Sequence, residues 1–128
     1  MAEREAIVSP DVAMPVKDIF PHAVKAAGLV FVSGSIGMDK DGSIVPGGIQ
    51  ERTHQVIQNF KNVLEAAGSS LDKIVKLNVF IADMNDFSAM NEAYKQHFKA
   101  PNLPCRTCVA VKTLPFNTDV EMECTALA

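Results

Sequence analysis

The amino-acid sequence predicts an α+β fold, a β-sheet with two helices packed on one of its faces. Three observations carry this expectation. Two stretches, Ile49–Ala67 and Asp86 onward, repeat apolar residues at helical spacing. Five runs around them alternate or cluster β-rich residues. The 128 residues contain no repeat, linker or low-complexity tract, so residues 1–128 read as a single domain.

Residues 1–20 carry Pro10 and Pro15 and are expected to be extended or irregular. Leu29–Val32 is a compact strand stopped by Ser33-Gly34, and Asp39–Gly42 is a turn leading into a short strand, Ser43–Val45. In the first helix, Ile49, Thr53, Val56, Ile57, Phe60, Val63, Leu64 and Ala67 form one stripe, and Gly68 provides the stop. Ile74–Ile81 reads as a strand with Val75, Leu77, Val79 and Ile81 on one side. The second helix starts at Asp86 as N-cap, aligns Phe87, Met90, Tyr94 and Phe98, and ends at Pro101 and Pro104. Arg106–Lys112 and Val120–Leu127 are closing strands, the last with Glu121, Glu123 and Thr125 on one side. Two helices cover one face of such a sheet. Cys108, Ala110 and Met122 are expected to lack helix cover, which favours an oligomer.

Composition narrows the function. Twelve Lys+Arg against 15 Asp+Glu give a net charge of −3, without the basic footprint expected of a nucleic-acid or membrane-surface protein. The apolar runs are far shorter than the roughly 20 residues of a membrane span. Residues 1–12 lack the pattern of a secretory signal or an Arg-rich presequence. The expectation is a cytoplasmic protein with reduced cysteines, a trimmed mitochondrial form remaining open.

Most candidate motifs dissolve on inspection. Cys105-Arg-Thr-Cys108 has CxxC spacing, but at a strand start its thiols point to opposite faces, and no second pair completes a zinc site. His22, His54 and His97 are dispersed, so no metal is expected. Ser33 lacks a GxSxG elbow, and the glycines match no phosphate-binding loop. Arg106 remains, a charge opening the otherwise uncharged run Cys105–Ala110. Its planar fork suits either a salt bridge to Glu121 or Glu123 or a clamp on a ligand carboxylate.

Beyond single residues, Gly28-Leu-Val-Phe-Val-Ser-Gly34, Gln55-Val-Ile-Gln-Asn59, Leu64-Glu-Ala-Ala-Gly68 and Val75-Lys-Leu-Asn-Val-Phe-Ile-Ala-Asp83 stand in order. Phe87-Ser-Ala-Met-Asn-Glu-Ala-Tyr94, Pro104-Cys-Arg-Thr-Cys-Val109, Leu114-Pro-Phe116 and Val120-Glu-Met-Glu123 follow. Together they resemble the Rid (YjgF-type) family of reactive intermediate deaminases, and most of all its RidA branch, from about Phe20 to Ala126. The resemblance implies a chorismate-mutase-like fold assembled as a homotrimer, with sites in the clefts between subunits. It implies hydrolysis of 2-imino acids, or their enamine tautomers, to 2-keto acids and ammonia, with no cofactor or metal.

By the same resemblance Arg106 holds the substrate carboxylate and Glu121 orients or deprotonates the attacking water. The Gly34 N–H and the Cys108 carbonyl assist, and Ser33 and Asn91 line the cleft. Phe20 takes the place of the family's site tyrosine, so a hydroxyl is missing there, and His22 is a candidate to replace it. The run Gly34-Ser35-Ile36-Gly37 departs from the family's Gly-Gln-Ile-Pro, which is expected to loosen the loop. Two further readings stay open: a small-carboxylate or 2-keto-acid binding protein without turnover, and an RNA-cleaving inhibitor of translation, which the net charge disfavours.

Overall fold

A computed structural model describes residues 3–128. The chain forms one six-stranded mixed sheet and two α-helices, with strands β1 (Arg4–Ile7), β2 (Ala23–Ala26), β3 (Leu29–Ile36), β4 (Ile74–Ile81), β5 (Cys105–Ala110) and β6 (Val120–Leu127). Helix α1 spans Ile49–Ala66 and α2 spans Phe87–Tyr94. The spatial order is β1-β2-β3-β6-β4-β5. All pairings are antiparallel except β4 with β5, which is parallel, so β5 forms one edge.

The last strand is central. β6 lies between β3 and β4 and buries Val120, Met122, Cys124 and Ala126 against the helix layer. Val30, Val32, Leu77, Val79 and Ile81 join them, and Val56, Ile57, Phe60 and Leu64 of α1 pack down from above. Met122 is therefore covered and Cys108 is half-buried against the core, contrary to the sequence expectation. Apolar residues left on the other face include Val24, Leu29, Phe31, Phe80, Val109 and Leu127, which share it with Thr125 and Glu121 through the strand register.

Both ends of α1 are tied. Glu51 accepts the Gly48 N–H at 2.6 Å, an N-terminal cap whose backbone bond also holds the Glu51 carboxyl below its usual range. At the C-terminal end Gly68 takes φ +81°, and Lys25 of β2 donates to the Ala67 carbonyl at 3.0 Å.

Several elements differ from the sequence reading. The entry contains β1, which pairs with β2, and neither was expected; both are too short for alternation to show. Ser43–Val45 is reduced to an isolated bridge, Met38 to Ile44. A register irregularity between Ile74 and Lys76 turns Ile74 inward and leaves Val75 exposed. The chain turns helical before Asp86, in a 3₁₀ turn over Met84–Asp86 where Asp83 accepts the Asn85 N–H, so Asp83 rather than Asp86 is the side-chain cap. Helix α2 ends at Tyr94. Tighter turns then continue to His97 and keep Phe98 in the core against Tyr94. His54 of α1 and His97 hydrogen-bond to each other at 2.8 Å, a tie between the helical segments that neither position betrays alone.

Residues 8–22 cross from β1 to β2 as an irregular strap held by His22. The His22 Nδ1 accepts the Ser9 N–H and its Nε2 donates to the Ala13 carbonyl, both at 3.0 Å. An amide N–H can only donate and a carbonyl can only accept, so the neutral Nε2–H tautomer is fixed. Replacing it, as in His22→Phe, leaves both backbone groups without partners at a cost of about 1–3 kcal/mol each where they stay buried. A urea titration is expected to show this as a lower midpoint with the slope retained. An unchanged midpoint would mean that the strap is held elsewhere.

Candidate functional site

The residues singled out in the sequence fall into two groups. Arg106 lies on edge strand β5 and pairs with Leu77, which pairs in turn with the buried Cys124. Its side chain therefore rises on the helix side, where Nη1 donates to Asn91 Oδ1 of α2 at 2.7 Å. The guanidinium carbon sits 4.7 Å from the Tyr94 ring centroid and 5.7 Å from that of Phe87. Rings against the flat faces stabilise the cation and hold the fork in one plane. Burial pushes the Tyr94 phenol up to about 12 despite the nearby Arg106 charge, so this platform stays neutral. Neither Tyr94 nor Phe87 stood out in the sequence, where both read as core residues on a helical stripe.

The alternative of a salt bridge from Arg106 to Glu121 or Glu123 does not occur. Glu121 pairs with Phe80. Phe80 and Leu77 are three residues apart on one strand, so Glu121 and Arg106 leave opposite faces of the sheet. The structure brings Asn91 to Arg106 and places Cys108 on the same side. Burial lifts the Cys108 thiol above its usual value against the pull of Arg106, which leaves it a poor nucleophile at neutral pH. Cys105 faces the other way, its thiol against the Val75 carbonyl.

The second group surrounds a cavity of about 180 Å³. Phe20, Ser33, Gly34 and Glu121 all line it. β3 is irregular between Val32 and Ser35, and this break carries Ser33 and Gly34 out of the ladder with β6. A Cβ at Gly34 would lie 2.8 Å from Glu121 Oε2, so the glycine leaves room for the carboxylate where it stands. The Ser33 hydroxyl donates to the Pro21 carbonyl at 2.8 Å, closing the strap over the cavity. His22 also lines the wall, but both its ring nitrogens are engaged by the strap, so it does not supply the hydroxyl that Phe20 lacks.

Two networks hold this wall. Asn59 of α1 donates to the Ile36 and Met38 carbonyls at 3.2 and 3.0 Å and accepts from Gln55. Arg52 forms a bidentate pair with Asp119 at 2.8 and 2.9 Å and donates to the Val45 and Gly47 carbonyls, which anchors the start of β6 just before Glu121. Gly37 is buried on this arginine, where a Cβ would come within 2.6 Å of Arg52 Cβ. The loop expected to be loosened is packed tight instead. Phe116, which the sequence reading did not select as a site residue, reaches the cavity from an exposed turn with φ +56°.

Comparison with known proteins agrees with this architecture. A family model described as Endoribonuclease L-PSP matches residues 11–128. The chain belongs to that family, the Rid (YjgF-type) proteins. It is 48% identical over 107 residues to Protein HMF1 of Saccharomyces cerevisiae, covering 84% of this chain and 82% of that protein. A crystal structure of yeast Mmf1 superposes with a TM-score of 0.93 at 42% identity, covering 98% of each chain. The human 2-iminobutanoate/2-iminopropanoate deaminase is 39% identical over 109 residues, covering 84% of this chain and 79% of that protein.

Within this Rid chain, Glu121 has the electrostatics of a proton acceptor. Burial, with Glu123 adding, pushes its carboxyl above its ordinary value of 4.5. A raised carboxyl value means the charged form costs stability at neutral pH, and that cost disappears as the pH falls through the raised value. Glu121→Gln is therefore expected to melt above wild type at pH 7, with the advantage shrinking as the pH approaches 4.5. Thermal melts of both proteins across that range check the sign, and coincident curves throughout would place the carboxylate in ordinary solvent.

Proposed function

We propose that this Rid chain hydrolyses reactive 2-imino acids and their enamine tautomers to 2-keto acids and ammonia. One observation carries the reading above all. The Arg106 fork is hydrogen-bonded to Asn91 and faced by Tyr94 and Phe87, with no carboxylate among the described residues paired to it. That arrangement suits an incoming carboxylate. The name of the human relative supports the same reaction.

The chemistry balances with water alone. Arg106 holds the substrate carboxylate and so places the imine carbon. Glu121 accepts a proton as water adds to that carbon, giving a carbinolamine. With the imine entering protonated, Glu121 then returns its proton to the carbinolamine nitrogen, the C–N bond breaks with loss of ammonia, and the remaining hydroxyl proton passes to Glu121 as the keto group forms. The Gly34 N–H, with Ser33 beside it, and the Cys108 carbonyl of the Arg106 group are further polar groups for this water and substrate. Phe20 offers an aromatic edge instead of a hydroxyl, which weakens proton handling relative to a tyrosine.

Arg106 and Glu121 leave opposite sheet faces, so a complete site needs the Arg106 group of one copy against the cavity of another. A homotrimer with sites between subunits supplies this, and the uncovered Phe31, Phe80 and Val109 give it an apolar contact. The proposed compartment is the cytoplasm. A mitochondrial one is the alternative, since yeast relatives carry mitochondrial names. The family model's description favours a second reading, RNA cleavage. The net charge of −3 and the apolar cavity favour the imine.

The test is turnover of 2-iminobutanoate made by threonine dehydratase, read by competition with semicarbazide trapping. Arg106→Ala is expected to lose about 2–5 kcal/mol of transition-state stabilisation. Arg106→Lys should fail nearly as badly, since it keeps charge without the fork. Calorimetry with 2-oxobutanoate should show the same loss of binding. A folded Arg106→Ala protein with full activity would overturn the reading.

A further inference from the structure

We infer that the cavity beside Glu121 is a side-chain pocket that selects 2-imino acids bearing branched or aromatic apolar groups over those bearing a methyl or ethyl group. The inference rests on the deaminase reading and adds a substrate class to it.

The volume sets the scale. An apolar cavity of about 150 Å³ accepts benzene. The space here is about 180 Å³, lined by Val32, Phe60 and Val63 on the inside and by the exposed Phe20 and Phe116 at its mouth. An isobutyl or benzyl group matches this space. The ethyl group of 2-iminobutanoate leaves much of it empty, so the lining atoms lose their contacts on one side.

The wall chemistry agrees. The polar side chains along it are mostly committed to protein partners: both nitrogens of His22, the Asn59 amide and the Ser33 hydroxyl. The Ser35 hydroxyl and the Glu121 carboxylate have no side-chain partner among the described residues, and Glu121 is the proposed base. A polar substrate side chain would find few groups to replace its water, whereas an apolar one would need none. Phe20 adds to this selection, because a hydroxyl at that position would place a polar group at the entrance.

Direction is consistent with the reaction. A substrate whose imine carbon stands at Glu121 and whose carboxylate points to Arg106 of another copy has one remaining substituent, and the cavity opens beside Glu121 to receive it. Phe116 and Asn117 both adopt left-handed backbone, φ +56° and +55°, an unfavourable conformation for a side chain as bulky as phenylalanine. The turn holds Phe116 at the cavity despite that strain.

The experiment compares imines generated by amino-acid oxidase from 2-aminobutanoate, leucine and phenylalanine, in the wild type and in Val63→Phe and Phe116→Ala. Each further buried carbon is worth about fourfold. The leucine-derived imine, two carbons larger, is therefore expected to exceed 2-iminobutanoate in kcat/KM by about tenfold or more. Val63→Phe fills the cavity and Phe116→Ala opens it, and the ratio of the two substrates should fall in each. The ratio is the readout, and Phe116→Ala, on an exposed turn, covers the case in which Val63→Phe fails to fold.

A ratio of one or below, or a high ratio that neither variant moves, overturns the pocket and leaves the deaminase reading intact. If no imine is turned over, the deaminase reading fails, and calorimetry of 4-methyl-2-oxopentanoate against 2-oxobutanoate decides the pocket. Tighter binding of the larger acid, abolished by the variants, supports it. Equal binding, or none, overturns it.

Discussion

The pleat of β6 is the constraint on which the rest of the molecule depends. One set of its side chains, Val120, Met122, Cys124 and Ala126, lies at the bottom of the helix layer, and the other set, Glu121, Glu123 and Thr125, lies on the opposite face. β6 is paired on both sides, so this alternation is transmitted through Leu77 to β5 and through Phe31 to β3. A slip of one residue would bury two carboxylates and expose the core. The register is therefore specified by the largest energies in the fold, and the position of every candidate functional side chain follows from it.

On that frame, several departures from regularity lie around the cavity. The irregular step at Ser33-Gly34 opens β3 where Glu121 needs room. The Arg52–Asp119 pair joins α1, the loop before it and the start of β6 through several hydrogen bonds on one guanidinium. Its cost in desolvation is offset by bidentate geometry and by two backbone carbonyls. The His22 tie does the same for the strap. The cavity is thus walled by β3, α1 and β6 together with irregular segments, and the strap and the loop before α1 are each held by a polar side chain that reaches across from, or to, a regular element.

The parts that were legible in sequence are those where local pattern and burial agree. The stripe of α1 and the alternation of β6 are long enough for periodicity to be unambiguous, and both match to within a residue. β1 and β2 are four residues each and gain their identity from pairing, which no local pattern reports. The same holds for the site. Arg106 stood out because a charge opens an uncharged strand, and Asn91 was reached through the family resemblance. Tyr94 and Phe87 were hidden because an aromatic beneath a guanidinium has the same helical spacing as one in a core. Met122 was misplaced because the position of β6 between β3 and β4 is a fact of topology, and the sequence order puts that strand last.

The separation of Arg106 from Glu121 has a chemical consequence beyond location. Had both faced the same side on neighbouring strands, they would have been free to pair, and each would have quenched the other. Arg106 would then present no free edge to a carboxylate, and Glu121 would be held well below its ordinary value and be a weaker base. With the pleat between them, Arg106 has only the neutral Asn91 amide and aromatic rings, and Glu121 has burial and a like charge from Glu123. The proposed carboxylate clamp, Arg106, and the proposed base, Glu121, remain electrostatically independent because the sheet forbids their contact. In the proposed homotrimer, a second copy would bring the opposite group to the same cleft, so the register that specifies the fold would make the proposed chemistry a property of that assembly.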